Sequence, residues 1–148
     1  PIGWLLRNVN SSLALFKDNG VRGFSKVLIA IRPGRRNKRF IDVADKICSH
    51  FGASLTLLNI VGESDNNQKI KRIEKSSSEL ISGTKSKSVV KIIRSNNPVE
   101  AISEESASYD LLILGTPEKD NWIRVLFGAG EDRFVKKAAC SVLRLTIK

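Results

Sequence analysis

The 148 residues are enough for one domain with a real core, and 41% apolar with 27% charged residues is the balance of a globular chain. No apolar run approaches the ~20 residues of a membrane helix, which excludes a simple membrane span in this segment. The net charge of +10 is unevenly placed: residues 1–39 hold nine bases against one acid, Asp18, whereas residues 40–148 are nearly balanced. An anionic membrane surface, nucleic acid, a phosphate ligand or a solvated basic arm would each account for such a front end. Nucleic acid ranks last, because neither an aromatic stacking platform nor a recognition motif accompanies the charge.

In chain order, residues 1–24 differ from the rest. Trp4, Leu5, Leu6, Val9, Leu13, Leu15 and Phe16 recur at roughly helical spacing, and Lys17–Asp18–Asn19–Gly20 reads as a helix end and turn. We expect residues 1–25 to be an amphipathic basic arm or juxtamembrane linker and residues 26–148 to be the domain. The start at Pro1 and the absence of Met lead us to expect a segment of a longer or processed protein. Val27–Leu28–Ile29–Ala30–Ile31 is a buried strand, and residues 37–51 form a helix closed by Gly52. Residues 54–61 are a second strand, residues 68–82 a lysine-rich helix and residues 88–94 a third strand. Asn97 is an N-cap with Pro98 in the first turn of the next helix. Residues 110–114 form a fourth strand with four consecutive apolar residues, as a strand buried on both faces requires. After Gly115 come a loop, a helix over residues 129–138 and a last strand over residues 141–147. Alternating strands and helices predict a three-layer α/β/α, flavodoxin-like fold with a five-stranded parallel sheet in the order 3-2-1-4-5.

Open sheets of this kind bind ligands beyond the carboxyl ends of their central strands. That places Ile31, Arg32 and Pro33 beside Gly115, Thr116 and Glu118. Gly128, Ala129 and Gly130 open the last helix, where free N–H groups favour an anion. A tight helix–strand approach would account for the glycines equally well. Arg35, Arg36, Lys38 and Arg39 form a basic rim. No Walker A sequence occurs. The single histidine, His50, sits near a helix end and suits a dipole partner better than a general base. Cys48 and Cys140 fit neither a metal knuckle nor a redox pair, so two buried free thiols are expected and no metal site.

The closing segment Gly128–Ala129–Gly130–Glu131–Asp132–Arg133–Phe134–Val135–Lys136–Lys137–Ala138–Ala139–Cys140–Ser141–Val142–Leu143 resembles the last helix and strand of the universal stress protein family. Asn97–Pro98–Val99–Glu100–Ala101–Ile102 and Val27–Leu28–Ile29–Ala30–Ile31 resemble its third-helix start and its first strand. Nucleotide-binding members of that family end the first strand in Asp and carry Gly-x2-Gly-x9-Gly-Ser/Thr after the fourth. Here the spacing survives, with Gly115 and Gly128 as the first and third glycines. Glu118 replaces the second glycine, Ala129 the Ser/Thr and Arg32 the Asp. The resemblance implies a regulatory, non-enzymatic domain with a degenerate ATP site and no cofactor. It also implies a homodimer pairing Val142, Leu143, Leu145 and Ile147 antiparallel across a two-fold axis. Such domains also occur as cytosolic tails of membrane transporters, which places the chain at the cytoplasmic face of the cell membrane, against the membrane-embedded part of its own polypeptide. The alternative is a free-standing member binding ATP, AMP, a cyclic nucleotide or another phosphate-bearing ligand.

Overall fold

In the computed structural model, which describes residues 11–18, 20, 22–32, 38–115 and 140–146, the domain opens on a strand rather than a helix. The elements are β1 (Leu13–Lys17), β2 (Lys26–Ala30), α1 (Lys38–Phe51), β3 (Ser54–Val61), α2 (Asn67–Ile81), β4 (Ser88–Arg94), α3 (Pro98–Ser106), β5 (Leu111–Gly115) and β6 (Ser141–Thr146). The sheet order is β1-β6-β5-β2-β3-β4. Strands β2 to β6 are parallel and reproduce the expected 3-2-1-4-5 order.

The sixth strand corrects the expectation of a helix through residue 16. Leu13 and Leu15 are half-buried, while Ala14, Phe16 and Lys17 are exposed. That alternation satisfies a strand, and short apolar runs fit either period until a neighbour decides. The neighbour is β6, which β1 joins antiparallel from Leu13 opposite Thr146 to Lys17 opposite Val142. Gly20, at φ +90°, supplies the turn that follows, and its N–H bonds the Asp18 carboxylate at 2.8 Å. The last strand is therefore not a sheet edge. An open edge must be paired or covered, and here β1 of the same chain pairs it. Dimerisation through a free edge at Val142, Leu143 and Leu145 is corrected accordingly. Ile147 lies outside the described residues, as does the expected helix over residues 129–138.

Two apolar layers clothe the sheet. On one face α1 and α2 pack Phe40, Ile41, Ala44, Cys48 and Ile81 on Val27, Ile29, Leu55, Leu57, Leu111 and Ile113. On the other, Ile102 of α3 and Cys140 lie against Leu28, Ala30, Leu58, Leu112, Leu114 and Val142. Residues 27–30 and 111–114 are buried on both faces, which is why they read as unbroken apolar runs. Polar bolts fix the register. The Asp110 carboxylate accepts from the Ser25 and Lys26 N–H groups at 2.8 and 2.9 Å, tying the start of β5 to that of β2. The predicted cap at Asn97 forms, its side chain accepting from the Glu100 N–H at 3.3 Å. Gly52 closes α1 at φ +65°.

Candidate functional site

β2 leads to β3 on one side and β5 neighbours β6 on the other, so the sheet's switch point lies between the carboxyl ends of β2 and β5. Ala30 and Leu114 are paired there. One residue beyond Ala30, Ile31 is half-buried against the α1/α2 layer and its N–H reaches the Leu58 carbonyl at 3.4 Å. Arg32 follows and is exposed. Gly115 ends β5 over the buried ring of Phe40, from the first turn of α1. Among the described residues, a methyl group added at Gly115 would meet only that ring, at 3.7 and 3.8 Å. That is an ordinary contact, and Gly115 is not in the left-handed region. Neither backbone strain nor crowding among the described residues requires glycine at this strand end.

Of the expected rim, the structure describes Lys38 and Arg39. The Lys38 ammonium pairs with Asp42 at 3.3 Å and turns to the Leu80 carbonyl at 3.5 Å, near the end of α2. Arg39 is exposed on α1. Pro33, Arg35, Arg36, Thr116, Glu118, Gly128, Ala129 and Gly130 lie outside the described residues.

One residue at this end escaped sequence reasoning. Arg144 reads as a charged guard on an edge strand. In the structure it is 6% exposed, and its guanidinium donates to the Gly115 carbonyl at 3.1 Å. It shares the face of Val142, across from Leu15 of β1. A polar residue inside an apolar strand (Val142, Leu143, Leu145) was the available signal, but its meaning depended on knowing that β6 is internal. Among the described residues, the strand ends that flank the switch point thus carry two guanidiniums, one exposed just beyond β2 and one buried on β6. Guanidinium forks suit phosphate and carboxylate groups.

The thiols are buried and free, as the spacing predicted. Burial, then the nearby Asp45 charge, pushes the Cys48 thiol up to about 11, and burial likewise raises Cys140. Neither has the thiolate character that reactivity needs. Among the described residues no three His, Cys, Asp or Glu side chains come together as metal ligands, and no helix is long and apolar enough to cross a membrane.

A doubly wound, mostly parallel α/β sheet with its switch point between the two central strands defines a flavodoxin-like domain. The sequence profile described as the universal stress protein family matches residues 23–145. The chain belongs to that family. A universal stress protein solved in complex with cAMP superposes with TM-score 0.63 at 18% identity, covering 82% of this chain and 96% of its own. One from Archaeoglobus fulgidus in complex with dAMP gives 0.61 at 14% identity, covering 82% and 97%. The cytoplasmic domain of a prokaryotic cation chloride cotransporter gives 0.60 at 15% identity, covering 92% of this chain and 52% of that one. At these identities the likeness is one of fold. A search of curated proteins returned no match.

Proposed function

We propose that the chain is a non-catalytic regulatory module, the cytosolic domain of a membrane transporter, whose switch point no longer accepts Mg-ATP. Arg32 carries the reading. It stands exposed at the end of β2, where the family resemblance puts a carboxylate in nucleotide-binding members. A guanidinium has donors only, so it cannot accept from an adenine amine or a ribose hydroxyl as that carboxylate would. It also repels a divalent metal. Glu118 and Ala129, aligned on the family's second glycine and Ser/Thr, point the same way: one adds negative charge, the other removes a hydroxyl from a phosphate path. Arg32 and Arg144 together favour an anion that comes without a metal ion. The cotransporter cytoplasmic domain of the same fold supports the transporter context, with the residues before β1 as the link to the membrane at the cytoplasmic face. In a homodimer of such modules β6 would not be the seam, since β1 of the same chain already pairs it.

Titration calorimetry tests the site. Mg-ATP should give no saturable heat, and micromolar binding of Mg-ATP would overturn the reading. The second reading is a free-standing protein that binds AMP or a cyclic nucleotide, favoured by the cAMP and dAMP complexes of its structural neighbours. Saturable heat with AMP or cAMP that Arg32→Ala weakens at least tenfold, about 1.4 kcal/mol, selects it. Membrane spans encoded upstream of Pro1 establish the transporter context; a reading frame starting just before Ile2 removes it.

A further inference from the structure

Among the described residues, the helices on the two faces of the sheet carry opposite charge. Residues 67–87, which form α2 and the loop after it, hold six bases against two acids, and α1 beside them adds exposed Arg39 and Lys46. Residues 95–110, with α3 on the opposite face, hold four acids and no base. On α2, Ile73, Ser77 and Ile81 are buried at four-residue spacing, so Lys71, Arg72 and Lys75 lie on the outward side of the helix. All three are exposed. The bases at the margins are neutralised, Lys69 by Asp65 at 2.9 Å and Lys38 by Asp42 at 3.3 Å. Among the described residues, no ion pair involves the central three. Lys71 and Lys75, four residues apart, repel each other within the helix, and an anionic surface would relieve that repulsion.

We propose that the α1/α2 face adsorbs on an anionic lipid surface, with Lys71, Arg72 and Lys75 at the centre of contact and α3 turned away. The face is built for electrostatic adsorption. Helix α2 has no aromatic residue to insert into lipid or to stack on a base. The like-charged α3 face fixes orientation, because an anionic plane repels it. The proposal rests on the membrane-associated reading above and specifies which face meets the membrane.

Co-sedimentation of the 148-residue chain with phosphatidylcholine vesicles, with and without phosphatidylserine, provides the test. Binding should require phosphatidylserine and fall steeply with salt. Each basic residue near such a surface is worth roughly a fivefold gain in partitioning, so K71Q/R72Q/K75Q should lose about a hundredfold. K26Q/K91Q removes two positive charges at exposed positions outside both α2 and the N-terminal segment and should lose less than about threefold by this scale. Thermal melts matching the parent chain confirm that both variants fold. Equal losses in the two variants would reduce the effect to net charge and overturn the face assignment. Absence of binding to phosphatidylserine vesicles overturns the proposal, as does capture of a single-stranded RNA oligonucleotide through the same three residues without vesicle binding. Vesicle binding by a chain encoded without membrane spans keeps this proposal and removes the transporter reading; spans with no vesicle binding does the reverse.

Discussion

The two layers that cover the sheet reach burial by different means. Two helices build the α1/α2 layer, and large apolar side chains fill it: Phe40, Ile41, Leu55 and Leu57 are all 2% exposed or less. It also encloses a polar pair, the Asn59 amide donating to the Ser77 hydroxyl at 2.8 Å, and Asp45 clasps the loop that leads into β4. In the α3 layer small residues sit where the other has large ones. Ala101 and Ser106 are buried beside Ile102, and a surface ion pair, Lys91 with Glu105, joins β4 to the helix. Among the described residues, the first layer is held by large apolar side chains and buried polar contacts, the second by smaller residues of α3, a buried Ser106 and a rim charge. Packing sets the larger energies, and the ordering below follows from that.

Core truncation should show the difference most strongly. Ile41→Ala empties a fully buried site between α1 and the sheet and should cost about 3–5 kcal/mol by urea denaturation; Ile102→Ala, 7% exposed, should cost about 2 kcal/mol. Equal losses would show that the layers are packed alike.

Asp45 should come next. Its carboxylate accepts from the Lys85 and Ser86 N–H groups, each at 2.9 Å, and from the Ser86 hydroxyl. Partial burial raises its pKa, but the Ser86 hydroxyl and the two backbone donors outweigh that and hold it below the usual carboxylate value. Because the folded value lies below the unfolded 3.8, the stabilisation is present above pH 3.8 and is lost as pH falls through the folded value. Asp45→Ala should cost about 1–2 kcal/mol at neutral pH and flatten the acid limb of the stability curve. An unchanged acid limb in that variant would assign acid sensitivity to other carboxylates.

The rim pair should matter least. Glu105 accepts from the Lys91 ammonium, and that bond raises the lysine's pKa. The stabilisation is therefore present below the lysine's unfolded pKa and fades as pH rises through its folded value. Lys91→Ala should change stability by less than about 1 kcal/mol. A loss matching that of Asp45→Ala would place the α3 layer under polar control.

Much of this molecule is legible from its residues. Unbroken apolar runs at 27–30 and 111–114, the Asn97–Pro98 helix start and Gly52 after α1 are local signals, set by periodicity, capping and backbone freedom. They sufficed for five parallel strands, their order and the family. The fate of Leu13–Lys17 was not local, because alternation over five residues fits two periods and only pairing with β6 chose one. Arg144 changed meaning for the same reason: once β1 covers β6, a residue that looks like an edge guard becomes a buried cation on the Gly115 carbonyl. The partners of Lys38 were likewise not legible: its ammonium pairs with Asp42 and reaches the Leu80 carbonyl of α2, 42 residues away. Sequence alone determined five of the six described strands, helices α1 to α3 and the family, since these rest on near-neighbour chemistry. Tertiary structure decided which edge is closed, which charges gather at the switch point and which face is left positive, since each depends on contacts between residues far apart in the chain.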